Sequence, residues 1–182
     1  MSLIEACQRG DPQAFARLVE LTNRGVYSLA FRMLGNPEDA ADVTQDTYLK
    51  VVRSIKQFRG EAKFTTWLYR VTSSVAISKL RKRARRANEI TIDDAQWATI
   101  PASAASDPVE ASEKKLLRER LDQALLALPE GYRSVVVLKD IYGFSLADIG
   151  NHLGITEGAA KVRLFRARQR LRTMLYSPTG DS

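Results

Sequence analysis

The chain has 182 residues, of which 45% are hydrophobic, so it is long enough for one medium-sized domain or two small ones. Its formal net charge of +7 favours a polyanionic partner such as nucleic acid. A single cysteine, Cys7, and a single histidine, His152, exclude a disulfide framework and disfavour a Cys/His metal site. We expect no signal peptide and no membrane insertion, because no apolar run approaches the roughly 20 residues that a span needs.

The N-terminal part of the chain predicts three amphipathic helices. The first covers residues 11–34, and the second begins at the Asn-Pro-Glu-Asp signal of residues 36–39. The apolar stripe of the second helix is predicted to be Tyr48, Val51, Val52 and Ile55. Its other face is formed by Asp42, Gln45, Asp46 and Leu49. After a break at Gly60, the third helix has apolar residues at Phe64, Leu68, Val71 and Val75.

Two basic clusters are separated by an acidic stretch. Residues 79–86, KLRKRARR, include six basic residues in eight, and residues 161–172 include six more. Between Ala87 and Glu113 there is no lysine or arginine, and the middle, ATIPASAASDP, lacks helical periodicity. We therefore predict a first module at residues 1–86, a flexible acidic linker at 87–111, a second module at 112–176 and a tail at 177–182.

The second module begins with a helix that Pro129 ends. The leucine stripe of that helix is Leu117, Leu121, Leu125 and Leu128. The valine-rich SVVVL that follows could form a strand, but without a partner strand nearby a short helix ending at Gly143 is favoured. The next helix is predicted to start at Ser145, a good N-cap residue.

Residues 145–172 predict a helix-turn-helix motif. Gly150 and Ala160 supply small residues where the two helices cross, and Gly154 tolerates the positive φ of the turn. Thr156 is placed to cap the second helix. The apolar wedge between the helices is predicted to be Leu146, Ile149, Leu153, Ile155 and Leu164.

The last helix is basic on every turn. An ordinary solvated helix is the alternative, but such helices usually alternate acids with bases, and no acid occurs from Lys161 to Leu175. A helix with charges of one sign after a helix-turn-helix turn is suited to phosphate contact.

Four stretches together show a family resemblance: GDPQAFARLVE, NPEDAADVTQDTYLKVVRSIKQFRGEAKFTTWLYRV, LRKRARR, and ALLALPEGYRSVVVLKDIYGFSLADIGNHLGITEGAAKVRLFRARQRLR. In these stretches the chain resembles the bacterial extracytoplasmic-function (ECF, group 4) RNA polymerase sigma factors of the sigma-70 family. The resemblance covers nearly everything except the linker. It implies an all-α fold of two small helical domains, a σ2 bundle at 1–86 and a σ4 helix-turn-helix domain at 112–176.

The resemblance also implies roles for σ2. The domain would bind core polymerase, recognise the −10 element and assist DNA melting. The residues expected to dock on the β′ coiled coil of core polymerase are Asp42, Gln45, Asp46 and Leu49. A solvated helix face is the alternative, which composition alone favours.

The loop between two σ2 helices would hold a base flipped out of the −10 strand. The residues expected to contact −10 DNA are Arg59, Gly60, Glu61, Ala62, Lys63, Ser74, Lys79, Arg81, Lys82 and Arg83. Phe64 and Trp67 lie near the apolar stripe and are at least as well suited to core packing as to base contact. The chain departs from the family at Ser73, Ser74 and Ser78, where Arg-Asn and then Asp or Asn are common, so the −10 preference is not transferable.

For σ4 the resemblance implies recognition of the −35 element. The residues at the positions that contact it are Thr156, Glu157, Gly158, Lys161, Val162, Arg163, Phe165 and Arg166. Val162 departs from the frequent serine, and Phe165 is suited either to a thymine methyl or to packing. The linker, about 80–90 Å long when extended, would let two small domains reach separated boxes, with Trp97 as an anchor or as a bystander.

The partners implied are core RNA polymerase (β′ coiled coil and β), promoter DNA and an anti-sigma factor, in the cytoplasm. We expect no small-molecule substrate, cofactor, metal or catalysis. The rival class is a stand-alone helix-turn-helix regulator, but the first module shows no ligand motif for sensing. A nuclease would need clustered carboxylates for metal, which the sequence does not provide.

Overall fold

The computed structural model describes residues 2–90 and 113–176, and the chain divides into two compact units, Met1–Ile92 and Asp93–Ser182. All regular secondary structure in the described residues is helical, which confirms the all-α prediction. Trp97, most of the predicted linker and the tail lie outside the described residues.

Four α-helices and one short 3₁₀ turn form the described part of the first unit. The helices are α1 (Leu3–Gln8), α2 (Pro12–Leu34), α3 (Pro37–Ser54) and α4 (Phe64–Ile90), and the 3₁₀ turn is Ile55–Gln57. The last helix therefore continues to Ile90, four residues beyond the boundary predicted at residue 86.

Local signals in the sequence explain where α2 and α3 begin and end. The Asp11 carboxylate accepts hydrogen bonds from the backbone N–H groups at positions 13 and 14, and Pro12 follows at the first helical position. Gly35, at φ 70°, ends α2 in the left-handed conformation that glycine adopts at little cost. The Asn36 side chain then caps α3 through the N–H of Asp39 at 2.9 Å.

Helices α2, α3 and α4 pack together, with fully buried Leu29, Met33 and Leu68 among the largest core side chains. The prediction that Val52 belongs to the buried stripe of α3 is wrong, because its side chain is 53% exposed. Successive helical residues point about 100° apart. Val51, one position earlier, is fully buried, so Val52 is turned towards the exposed face.

The described part of the second unit has four α-helices. They are α5 (Glu113–Leu126), α6 (Glu130–Val136), α7 (Leu146–Leu153) and α8 (Glu157–Tyr176), and α6 continues into a π-helical turn, Val137–Ile141. SVVVL is therefore helical, as predicted. The stripe predicted on α5 is only partly correct: Leu125 and Leu128 are buried, whereas Leu117 is 64% exposed.

Helices α7 and α8 form the predicted helix-turn-helix. Gly154 has φ 70°, and the Thr156 hydroxyl accepts a hydrogen bond from the Ala159 N–H at 3.1 Å. Gly150 is needed for close approach, since a Cβ atom there would lie 2.8 Å from the carbonyl oxygen of Ile155. Ser145 caps α7 as expected. Within the described ranges, no helix is both long enough and apolar enough to cross a membrane.

Candidate functional site

One face of α3 presents acids and apolar side chains to solvent. The four residues predicted to bind polymerase are all exposed: Asp42, Gln45, Asp46 and Leu49. Leu49 is 51% exposed, and Val52 extends the same row by three residues. An exposed apolar pair beside carboxylates is suited to a partner helix that offers both apolar and basic side chains.

Helix α4 contributes two basic side chains to the edge of that face. The Lys79 ammonium lies 2.9 Å from Oδ2 of Asp42 and 3.0 Å from Oδ1 of Asp39. The Arg83 guanidinium also pairs with the Asp39 carboxylate and donates to the carbonyl oxygen of Leu34 at 3.5 Å. Two of the residues predicted to contact −10 DNA are thus paired with acids of α3.

The pairing shifts the pKa values of Asp39 and Lys79. Partial burial raises the pKa of Asp39, but hydrogen bonds from Lys79 and Arg83 and their charges outweigh it, so the pKa lies below its ordinary value. Hydrogen bonds to Asp42 and then Asp39 raise the pKa of Lys79. Both shifts favour the charged forms of Asp39 and Lys79.

The importance of Asp39 was missed at the sequence level. A signal was present, because Asp39 and Asp42 are three residues apart and Lys79 and Arg83 are four apart, so each pair occupies one helix face. What the sequence did not indicate is that these two faces meet.

The loop predicted to hold a flipped base is exposed along its length, from Arg59 to Lys63. Phe58 and Phe64 stand at its two ends, with ring centroids 5.5 Å apart, and Trp67 lies 5.5 Å from each. Phe64 and Trp67 pack against the buried core of the unit, which favours the packing alternative for both. The aromatic cluster fixes the base of the loop and leaves its tip open to a ligand.

A side chain from α1 further holds the start of that loop. Gln8 Nε2 donates hydrogen bonds to the carbonyl oxygens of Ile55 at 3.1 Å and Phe58 at 2.9 Å. The Ile55 carbonyl also accepts from the Phe58 N–H at 3.1 Å, so Gln8 adds a second hydrogen bond there and binds the Phe58 carbonyl at the start of the loop.

The three serines that depart from the family pattern differ in accessibility. Ser73 is buried, and its hydroxyl donates to the carbonyl oxygen of Arg70 at 3.0 Å. Ser74 is half-buried and accepts from the Lys50 ammonium at 3.3 Å. Ser78 is exposed. Of the three, Ser73 is placed inside the unit and is not available to DNA.

Helix α8 presents most of its predicted −35 positions to solvent. The exposed members are Thr156, Glu157, Gly158, Lys161, Val162, Phe165 and Arg166, whereas Arg163 is half-buried. Phe165 is 62% exposed and Val162 is 50% exposed, so neither is part of the unit's core. The packing alternative for Phe165 is therefore not what the structure shows.

Two residues outside α8 hold its arginines, and both were missed at the sequence level. The Arg170 guanidinium carbon lies 4.8 Å from the centroid of the Tyr132 ring, and interaction with Arg166 lowers the pKa of the Tyr132 hydroxyl. Arg168 forms a two-point ion pair with Asp140, at 2.9 and 2.6 Å. No spacing pattern marked Tyr132 or Asp140, which lie on a different helix from the arginines.

Cys7 and His152 both make packing contacts within their own units. Cys7 is buried, and burial together with the charge of Asp11 raises the pKa of its thiol. The His152 ring packs edge-on to Phe144, and its Nδ1 lies 2.7 Å from the Asp148 carbonyl oxygen. In residues 2–90 and 113–176, no three His, Cys, Asp or Glu side chains are grouped to hold a metal ion.

Comparison with known proteins places each unit in a family. The model of sigma-70 region 2 matches residues 18–86, and that of sigma-70 region 4 matches residues 118–171. The ECF RNA polymerase sigma factor SigW of Bacillus subtilis is 34% identical over 176 residues, which are 94% of each protein.

Two solved structures are also similar. One is the sigma factor RpoE of Bartonella quintana in complex with the anti-sigma factor NepR, with a TM-score of 0.64 and 24% identity over 90% of this chain and 98% of that one. At that identity the likeness establishes the fold alone. The other is CnrH in complex with the cytosolic domain of CnrY, with a TM-score of 0.56 and 25% identity over 97% of both chains.

Proposed function

The chain belongs to the extracytoplasmic-function sigma factors of the sigma-70 family. From this premise we propose which of its surfaces bind core polymerase and which bind promoter DNA. It is a transcription initiation factor that acts with core RNA polymerase at promoters, not a stand-alone regulator. The observation that carries this conclusion is the match of both sigma regions, in order, to the two helical units.

We assign core polymerase binding to the exposed face of α3. The assignment is supported by the row of Asp42, Gln45, Asp46 and Leu49, all exposed. Carboxylates beside an exposed leucine complement a basic, amphipathic helix such as the β′ coiled coil of core polymerase. Asp46 is the sharpest place to test the assignment, because it lies within the row and its side chain is exposed.

The Asp46→Arg variant should lose co-purification with core polymerase, because the reversed charge would face basic side chains of the partner. Its circular dichroism spectrum and thermal unfolding should match the wild type. Glu20→Arg is the matched control, since Glu20 is an exposed acid on α2 outside the proposed face. Normal binding of core by Asp46→Arg would contradict the assignment.

For the −10 element, we propose that the exposed loop Arg59–Lys63 contacts the unpaired strand and that Arg81 and Lys82 contact phosphate. Both basic residues are exposed on α4. Ser74, Lys79 and Arg83 belong to the same proposed surface, and each would exchange a contact within the unit for one with DNA.

For the −35 element, we propose that α8 enters the major groove with its N-terminal half. The free N–H groups at Thr156, Glu157 and Gly158 are suited to a phosphate. The exposed side chains of Arg166 and Phe165 are suited to a guanine edge and a thymine methyl. Lys161, Val162 and Arg163 complete the proposed surface.

We propose that an anti-sigma factor controls this chain, because the sigma factor RpoE of Bartonella quintana, which has a similar fold, was solved in complex with the anti-sigma factor NepR. We further propose that the chain acts in the cytoplasm and catalyses no reaction itself, since polymerase supplies the chemistry. The domain limits we propose are σ2 at 1–86, a linker at 87–111, σ4 at 112–176 and a tail at 177–182.

Run-off transcription tests the function directly. Purified bacterial core polymerase with this chain alone should give specific transcripts from promoters selected in vitro by the same holoenzyme. Core polymerase without the chain is the control. A requirement for a second sigma factor would contradict the proposal and favour a stand-alone regulator.

A further inference from the structure

Asp42 lies where the two surfaces proposed for the first unit meet. Its side chain belongs to the α3 row assigned to core polymerase. Its Oδ2 accepts a hydrogen bond at 2.9 Å from the Lys79 ammonium of α4, which belongs to the surface assigned to −10 DNA. The side chains of Asp42 and Lys79 are 64% and 32% exposed, so a macromolecular partner can reach each of them. One ion pair therefore joins the polymerase face to the DNA face.

The charges around this ion pair balance in the free chain. Lys79 also lies 3.0 Å from Oδ1 of Asp39, and the Arg83 guanidinium pairs with the same Asp39 carboxylate. Two carboxylates thus face two cations. If a basic side chain of a partner binds Asp42, Lys79 keeps Asp39, which it shares with Arg83. One positive charge on the DNA face then lacks a counter-charge.

The ion pair of Lys79 with Asp42 is weak enough to be exchanged. Water screens an exposed pair, and the long lysine side chain loses rotamer freedom when it is held. A partner cation that binds Asp42 within an interface interacts more strongly, because water is excluded from between the charges. Since two cations beside one carboxylate repel each other, Lys79 opposes that contact for as long as it stays paired with Asp42.

We propose that Lys79 is an internal competitor for the carboxylate that binds core polymerase. Its ion pair with Asp42 lowers the affinity of the free chain for polymerase, and contact of Lys79 with a DNA phosphate frees Asp42 for the polymerase. The inference rests on the proposed roles of the α3 face and of Lys79. By thermodynamic linkage, polymerase at Asp42 must in turn favour phosphate at Lys79 by the same factor.

Lys79→Met tests the competition, because it removes the ammonium and retains most of the apolar stem. Binding of the fluorescently labelled full-length chain to purified core polymerase would be measured by anisotropy without DNA. We expect Lys79→Met to bind core about twofold to fivefold more tightly than the wild type, as suits the release of an exposed ion pair. Lys79→Gln removes the same charge, keeps a polar end and should show the same gain.

Lys82→Met is the matched control, since Lys82 is an exposed cation of the same helix and its loss leaves the pair of Lys79 with Asp42 in place. Its affinity for core polymerase should equal that of the wild type. A gain equal to that of Lys79→Met would show that any lost positive charge on α4 favours polymerase, and it would overturn the inference.

A double-mutant cycle separates competition for Asp42 from simple repulsion between Lys79 and a basic partner. In the Asp42→Asn background, which lacks the carboxylate charge, Lys79→Met should no longer strengthen core binding. An equal gain in both backgrounds would overturn the inference. Unchanged or weaker core binding by Lys79→Met and Lys79→Gln would overturn it as well. Circular dichroism spectra and thermal unfolding of the single variants should match the wild type.

The Asp46→Arg variant distinguishes failure of the inference from failure of the proposed function. If Asp46→Arg binds core polymerase normally, the α3 face is not the polymerase surface. If Asp46→Arg loses core binding while Lys79→Met leaves the affinity unchanged, only the competition by Lys79 is overturned.

Discussion

The two units hold their basic surfaces in opposite ways. In the first unit, carboxylates of α3 hold Lys79 and Arg83 of α4 by direct ion pairs. In the second, the ring of Tyr132 lies 4.8 Å from the Arg170 guanidinium of α8. A carboxylate fixes a cation and cancels its charge, whereas an aromatic ring fixes it and leaves the charge available.

The difference bears on when each surface is ready for DNA. Lys79 and Arg83 must break or weaken their ion pairs with Asp39 before they can bind phosphate fully. Asp42 has two roles: it pairs with Lys79, and it belongs to the proposed polymerase face. Arg170 needs no such exchange, whereas Arg168 of the same helix is already paired with Asp140. Electrostatics of the first unit should therefore resist non-specific DNA contact more than those of the second.

The largest loss of stability is expected from crowding the close approach between α7 and the turn before α8. Gly150→Val should destabilise the second unit by about 3 kcal/mol, because the new side chain would meet the backbone at Ile155, which cannot move aside. Hydrogen exchange of the full chain should show lost protection in α7 and α8, with protection in α2 and α3 as in the wild type.

Gly158→Ala is the control for that variant. A Cβ atom at Gly158 would have the Thr156 hydroxyl as its nearest neighbour at 3.9 Å, so alanine should be accommodated without loss of stability. Retained protection of α7 and α8 in Gly150→Val would show that the close approach at Gly150 is not required.

A second substitution tests the charge compensation itself. Asp39→Asn should cost about 1–2 kcal/mol of stability in the first unit, since it weakens the contacts with both Lys79 and Arg83. The full chain should at the same time bind non-specific duplex DNA several-fold more tightly at low salt, because two cations lose their counter-charge. Fluorescence anisotropy at several salt concentrations measures the change.

Asp42→Asn is the matched comparison, with a smaller stability loss expected because its carboxylate is more exposed and, among the described side chains, pairs with Lys79 alone. The pH dependence gives a further check. The folded pKa of Asp39 is lowered, so its stabilisation is present above the ordinary aspartate pKa of about 3.9 and is lost as the pH falls through the folded value. The stability of the wild type and of Asp39→Asn should therefore begin to converge below about pH 4 and become equal only below the folded pKa of Asp39. Unchanged DNA affinity in Asp39→Asn would refute the compensation.

The smallest change in stability is expected from a substitution on α6. The hydroxyl of Ser134 is buried and has no hydrogen-bond partner among the described residues. Ser134→Ala should raise the stability of the second unit by up to about 1 kcal/mol, because it removes a desolvated polar group. Ser145→Ala removes a serine that caps α7 and should instead cost about 1 kcal/mol. Equal destabilisation by both variants, measured by urea unfolding, would contradict this account.

Much of the fold could be predicted because its signals are local. Capping by Asn36, Ser145 and Thr156, and the left-handed turn at Gly154, act over a few residues and appear in the structure where the sequence placed them. The errors arose where burial depended on neighbours. Val52 and Leu117 fit an apolar stripe by spacing, but each is more than half exposed.

By itself, the sequence determined the helices, the helix-turn-helix and the family, because periodicity, caps and motif order are properties of the chain. Only the tertiary structure decided which charges meet. Asp42 and Lys79 are 37 positions apart, and Asp140 and Arg168 are 28 apart, so no local pattern could join them. Helix packing sets those meetings, and with them it sets which basic residues are compensated and which remain ready for DNA.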